Sequence, residues 1–114
     1  MYISNSLKET HDVIASLSSD KTLHDVIDKI SNVCCDAINK GGKVMLAGNG
    51  GSAADAQHIA GELVSRFMFD RPGLPSVALT TDTSILTAIG NDYGYEKIFS
   101  RQIQAIGCAD DVFF

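Results

Sequence analysis

Apolar side chains recur at Leu23, Val26, Ile27, Ile30, Val33, Cys34, Ala37 and Ile38, the i, i+3, i+4, i+7 spacing of an amphipathic helix, and Gly41-Gly42 ends the stripe. An earlier stripe through Ile3, Leu7, Ile14 and Leu17 predicts a first helix closing near Ser18-Ser19-Asp20, so two helices precede any strand. Residues 43–47 form an apolar run too short for a helix, the pattern of a buried parallel strand. That run leads into Gly48-Asn49-Gly50-Gly51-Ser52, after which residues 53–67 predict a helix with Ser52 as its N-cap. Arg71-Pro72-Gly73-Leu74-Pro75 breaks the chain before a second strand at residues 76–79. Beyond the loop that begins at Thr80-Thr81-Asp82-Thr83, residues 84–89 predict a short helix closing at Gly90-Asn91-Asp92, and residues 96–106 a further helix ending at Gly107. Residues 110–114 open a third strand, inside which the chain stops.

This alternation predicts an α/β fold, a doubly wound parallel sheet in a three-layer αβα arrangement preceded by two helices. We read residues 1–114 as a single, incomplete domain, with 1–40 the helical pair and 43–114 the start of the α/β core. Apolar residues make up 45% and charged residues 20%, the balance of a soluble globular domain. The formal charge of −5 argues against nucleic-acid binding, which draws affinity from clustered Lys and Arg. No stretch approaches the ~20 apolar residues of a membrane span, and the N-terminal residues lack the basic and apolar regions of a signal peptide, so a cytoplasmic location without a membrane partner is expected. Cys34, Cys35 and Cys108 fit neither a C-x-x-C metal pattern nor an even disulfide framework and read as reduced, structural thiols.

A strand, glycines and a helix N-terminus together form an anion site, because small residues let the backbone approach, amide N–H groups point outward and the helix dipole favours negative charge. Ser52 could add a hydroxyl donor, whereas a bare tight turn would need fewer glycines than Gly48, Gly50 and Gly51. The spacing Gly48-x-Gly50-x-x-Ala53 also satisfies a dinucleotide fingerprint, but that reading needs an acidic residue ending the next strand; Asp70 precedes the second strand and Asp82 comes late. A Walker A loop is excluded, since no Gly-Lys-Ser or Gly-Lys-Thr follows. A small phosphorylated metabolite fits better.

His58 and Glu62 stand four residues apart and share one face of the predicted helix. Such pairs are common as solvated surface contacts, yet they can also grip a Zn²⁺ ion or one substrate, and a carboxylate beside a carbonyl carbon can take a proton from it. Small and apolar neighbours, and a helix launched from an anion-binding turn, favour the second reading. Gly61 costs the helix about 1 kcal/mol relative to Ala, as though something must approach closely there. His11 and His24 lack such a setting and read as surface residues.

The run Ala47-Gly48-Asn49-Gly50-Gly51-Ser52-Ala53-Ala54-Asp55-Ala56-Gln57-His58 closely resembles the signature of bacterial phosphoheptose isomerases of the sugar isomerase (SIS) superfamily. Arg71-Pro72-Gly73-Leu74-Pro75, Ala78-Leu79-Thr80-Thr81-Asp82, Gly90-Asn91-Asp92-Tyr93-Gly94 and Phe99-Ser100-Arg101-Gln102 resemble the family in the same order. The resemblance implies interconversion of sedoheptulose 7-phosphate and D-glycero-D-manno-heptose 7-phosphate through an enediol, toward heptose for lipopolysaccharide or other surface glycans. It implies Glu62 as catalytic base, one Zn²⁺ per site shared by His58 and Glu62, and substrate contacts from Asn49, Gly50, Gly51, Ser52, Glu62, Asn91 and Asp92. It further implies a homotetramer whose active sites take residues from neighbouring chains, so the first two helices are either oligomer contacts or a cover for their own sheet. Family members continue with a Ser/Thr-rich phosphate loop after the strand that starts here at Val112, and with a late helix carrying a Gln and a His. This chain has neither, so the expectation is a truncated enzyme.

The alternative from another class is a non-catalytic sugar-phosphate- or protein-binding SIS module, since relatives of the family include a replication-initiation regulator. Glu62 weighs against it, because a binding module needs no carboxylate there. That regulator branch also resembles Gly-Thr-Ser where this chain has Gly50-Gly51-Ser52.

Overall fold

A computed structural model describes every residue from Met1 to Phe114. The chain forms two compact units, Met1–Asn32 and Val33–Phe114, divided within the second helix. The first unit holds α1 (Tyr2–Ser19) and, after one residue, the first part of α2 (Lys21–Asn39), whose last turns belong to the second unit. Asp20 makes that junction: its carboxylate accepts from the N–H of Leu23 at 3.0 Å, a side-chain N-cap that fills an orphan donor of α2. The Nε2 of His24 lies 2.9 Å from the carbonyl oxygen of Leu17, and both His24 and His11 are exposed, as the sequence suggested. Ile3, Leu7, Ile14, Leu17, Val26, Ile27 and Ile30 form the expected stripe, and all of them remain exposed.

In the second unit, β1 (Val44–Leu46), β2 (Ser76–Ala78) and β3 (Val112–Phe113) form a parallel sheet in the order β2-β1-β3. Val44 pairs with both Ser76 and Val112, and Met45 with both Val77 and Phe113. Between β1 and β2 lies α3 (Gly51–Val64); Ala56 and Ala60 on its inner face pack with Val44, Leu46 and Ala78, joined by Cys34, Ile38 and Leu63. Met45 points to the other side of the pleat and is equally buried, so the central strand is covered on both faces, which is why it reads as a continuous apolar run. The path from β2 to β3 runs through α4 (Thr83–Tyr93), a 3₁₀ turn (Tyr95–Lys97) and α5 (Ser100–Ile106), and crosses back past β1. With right-handed crossovers in both directions, the two connections fall on opposite faces, giving the doubly wound pattern with its switch point at the end of β1.

Tertiary contacts shift several element ends from their expected places. Gly50, with φ of 58°, is the N-cap of α3, and Ser52 sits inside its first turn with no side-chain capping bond. The helix stops at Val64 because its last carbonyls are taken up from downstream: Arg71 donates to the carbonyls of Glu62 and Leu63, each at 2.9 Å, and the N–H of Leu74 donates to that of Leu63 at 3.0 Å. Gly90-Asn91-Asp92 does not close α4, which starts on the Asp82 cap and continues to Tyr93. The single helix expected over 96–106 is split into the 3₁₀ turn and α5. Nothing lies within 4 Å of a Cβ built on Gly61, so the close approach expected there is not made within this chain.

Two anchors hold the sheet's surroundings. The buried Gln102 side chain donates to the carbonyls of Leu79 at 2.9 Å and Ile98 at 2.8 Å, tying α5 to the end of β2. The Asp111 carboxylate, only 3% exposed, accepts from the Lys43 ammonium at 2.6 Å, from the Lys43 N–H at 2.9 Å and from the Cys108 N–H at 2.7 Å. The hydrogen bond from Lys43 holds the Asp111 carboxyl below the usual carboxylate range, against the opposing effect of burial. The three cysteines are free, and burial, with Cys35 alongside, pushes the Cys34 thiol up, which keeps it protonated.

Because the folded state lowers the Asp111 pKa, its contribution to stability is present above the unfolded value of about 4 and is lost as pH falls through the lower folded value. Urea denaturation between neutral pH and pH 3 should therefore show a decline that Asp111→Asn flattens while lowering stability at neutral pH; an unchanged pH profile would remove Asp111 as its source. A methyl group on Gly48 would meet the backbone and Cβ of Ser52 at 2.6 Å, whereas one on Gly51 would meet nothing within 4 Å. Gly48→Ala should cost about 1–3 kcal/mol and Gly51→Ala less than about 0.5 kcal/mol, measured by the same denaturation at pH 7.

Candidate active site

The hydrogen-bonded ladder of β1 ends one residue beyond the strand on each side, with Ala47 N–H donating to Phe114 at 2.9 Å and Leu79 N–H donating to Leu46 at 2.8 Å. Past that point the chain turns away from its neighbours. The N–H groups of Gly48, Asn49, Gly50 and Gly51 donate to no backbone carbonyl, so a run of amides is left free at the N-terminus of α3. The turn is tight because Gly48 packs directly on Ser52 and Gly50 takes a positive φ, neither of which a larger residue accommodates without strain.

Beside this turn lies a cavity of about 430 Å³. Gly48, Asn49, Gly50 and Ala53 form one wall, Thr80 the end of the sheet, and Leu86, Thr87, Gly90, Tyr95, Ile98 and Phe99 the facing wall. No cationic side chain lines it, so an anion bound there would be held by backbone N–H groups and the helix dipole. The hydroxyls of Thr80 and Thr87 already donate, to the carbonyls of Ala53 at 3.4 Å and Thr83 at 2.6 Å. Tyr95 donates its phenol proton to Oδ1 of Asn49 at 2.6 Å across the mouth of the cavity.

Of the residues singled out from sequence, Asn49 and Gly50 line the cavity. Gly51 and Ser52 are exposed on the first turn of α3, and Asn91 and Asp92 are exposed in the last turn of α4, bonded to each other at 2.9 Å. His58 and Glu62 do form a pair, with Nε2 3.4 Å from Oε1, and their side chains are 75% and 38% exposed. They are placed about 200° around the helix from the buried Ala56 and Ala60, on the face turned away from the sheet. The chain therefore brings Asn49 and Gly50 together with Thr80, Thr87 and Tyr95, and does not bring Glu62 to that cavity. Thr87 and Tyr95 are not marked by any spacing in the sequence: they join the cavity wall, and Tyr95 reaches Asn49, only through the return of the chain after β2.

A catalytic zinc site takes three protein ligands and an open position. His58 and Glu62 have the right chemistry for two of them, but no third His, Cys, Asp or Glu gathers with them anywhere in the chain. The pair is a partial ligand set, and a zinc ion held there would need donors from outside this chain.

The family model for the SIS domain matches residues 8–114. Among curated proteins, the chain is 67% identical over 111 residues to a phosphoheptose isomerase of Burkholderia pseudomallei, covering 97% of this chain and 56% of that protein. It is 58% identical over 112 residues to a phosphoheptose isomerase of Aneurinibacillus thermoaerophilus, covering 98% and 57%. Among solved structures, it is similar to phosphoheptose isomerase GmhA from Neisseria gonorrhoeae, with a TM-score of 0.80 at 40% identity over 98% of this chain and 58% of that one. A phosphoheptose isomerase from Francisella tularensis matches with a TM-score of 0.85 at 32% identity, over 99% and 60%. The chain thus spans a little over half the length of the relatives it matches. With the domain model matched over nearly its whole length and the same α/β arrangement in solved relatives, this chain belongs to the SIS domain family.

Proposed function

We propose that this chain is the N-terminal part of a cytoplasmic isomerase that interconverts sedoheptulose 7-phosphate and D-glycero-D-manno-heptose 7-phosphate, supplying heptose for lipopolysaccharide or other surface glycans. The observation that carries the reading is the run of unbonded amides at Gly48, Asn49, Gly50 and Gly51 beside a cavity, leading into the helix that carries a partly exposed carboxylate at Glu62. The similarity to phosphoheptose isomerases at 67% and 58% identity supplies the substrate.

In this reading Asn49, Gly50, Gly51 and Ser52 hold the sugar phosphate, with Asn91 and Asp92 contributing from the end of α4. Glu62 takes the proton from the carbon beside the carbonyl. The electron pair left on carbon closes the C=C bond while the carbonyl oxygen takes up a proton, giving the enediol; return of a proton to the neighbouring carbon, with loss of the proton from the other hydroxyl, completes the exchange of aldose and ketose. Zn²⁺, one per site, would be held by His58 and Glu62 with donors from beyond this chain, and would act as a Lewis acid.

Glu62 lies eleven residues beyond Gly51, about 16 Å along the axis of α3, and on the face away from the sheet. The carboxylate thus faces away from the cavity of its own chain, which favours a substrate held by another copy. It is consistent with the homotetramer with shared active sites that the family resemblance implies, in which the partly exposed His58–Glu62 pair would meet a neighbouring chain.

The test is an isomerisation assay with sedoheptulose 7-phosphate on this chain and on a version extended to the length of its relatives, both with zinc added. Turnover by the extended form is expected, and Glu62→Gln in that form should lower kcat by about 10²–10⁴-fold while leaving substrate binding largely intact. Near-normal turnover of the variant removes Glu62 as the base. Sugar-phosphate binding without turnover in either length replaces the isomerase with a binding module.

A further inference from the structure

We propose that Tyr95 is a positioning residue of the cavity: its hydroxyl clamps the Asn49 carboxamide so that the amide N–H donors face the ligand. Asn49 thereby becomes the side chain that selects a hydrogen-bond-accepting sugar oxygen. The substrate part of this inference rests on the sugar-phosphate reading above; the clamp itself does not.

The separation of 2.6 Å between the Tyr95 hydroxyl and Oδ1 of Asn49 is typical of an O–H···O bond and short for N–H···O, which fixes the orientation of the amide. With Oδ1 occupied by the phenol proton, both hydrogens on Nδ2 are left without a partner in the chain. The other hydroxyls on the cavity wall, those of Thr80 and Thr87, have given their protons to backbone carbonyls. Leu86, Ile98 and Phe99 offer only apolar surface. The Asn49 amide is thus the one side-chain donor on the wall still free to meet a ligand.

Tyr95 is 66% exposed, and Asn49 is exposed too, so their bond is not one the core requires. It joins the turn after β1 to the 3₁₀ turn after α4, 46 residues apart, and closes one side of the cavity mouth. An unclamped Asn side chain would rotate freely and be ordered only when ligand binds, which weakens binding. Holding it beforehand removes that loss.

The experiment combines ¹⁵N relaxation of the Asn49 side-chain amide, without ligand, with sedoheptulose 7-phosphate titrations of the protein, Tyr95→Phe, Asn49→Ala and the double variant. In the unaltered protein the amide should be ordered. Tyr95→Phe should make it mobile with the melting temperature unchanged, and should weaken binding about 2- to 10-fold. In the Asn49→Ala background the same change should have no further effect, because the phenol acts through the carboxamide. An Asn49 amide as mobile in the unaltered protein as in Tyr95→Phe overturns the clamp. A loss of affinity from Tyr95→Phe that persists without the Asn49 carboxamide overturns the positioning role. If the unaltered protein binds no sedoheptulose 7-phosphate, the sugar-phosphate reading and the selective role of Asn49 fall together, while the relaxation result decides the clamp separately.

Discussion

Strand β1 is paired along both edges and buried on both faces, and the position of the candidate site follows from where that pairing stops. Parallel neighbours satisfy its backbone as far as the Ala47 N–H, after which the strand has no partner to continue with. Four amides then emerge unbonded at the point where the two crossovers leave the sheet on opposite faces. A buried N–H without a partner would be costly, but these stand at the open end of the sheet, where water or a ligand oxygen can meet them. The fold therefore presents a row of hydrogen-bond donors without any charged side chain, so a chain of net charge −5 still offers a place where an anion could be met.

The tight turn depends on close packing in turn. Gly48 lies against Ser52, so α3 must start within a few residues of the end of β1, and the alanines at 56 and 60 bring the helix down onto Val44, Leu46 and Ala78. At the far end, Arg71 and Leu74 occupy the carbonyls of Glu62 and Leu63 and fix the last turn of the helix. The motif Arg71-Pro72-Gly73-Leu74-Pro75 thereby gains a structural reason: it terminates α3 at Val64 and sets the backbone from which Glu62 projects.

The elements that rest on local pattern are legible in the sequence alone. The stripes of α1 and α2, the apolar run of β1 and the glycine turn each show in a handful of consecutive residues, and each was found within a residue or a few of its expected place. The differences arose where a distant group decides. Ser52 has the chemistry of an N-cap, but the positive φ at Gly50 starts the helix earlier. Gly90 reads as a helix stop, yet α4 carries on to Tyr93, because glycine lowers helix propensity by only about 1 kcal/mol and the packing of Ile89 can outweigh that. The facing wall of the cavity was invisible for the same reason, since Thr87 and Tyr95 come opposite the glycine turn only once β2 is paired to β1.

The two faces of α3 are occupied differently. The inner face of α3 is committed to the sheet through small alanines, and its first turn supplies the amides beside the cavity; only the outer face is free to carry His58 and Glu62. A helix cannot turn both faces toward one ligand, and eleven residues of rise separate the two chemistries further. The free amides and the His58–Glu62 pair of one chain therefore face different directions. Any single ligand that touched both would have to reach from the first turn of the helix round to its outer face.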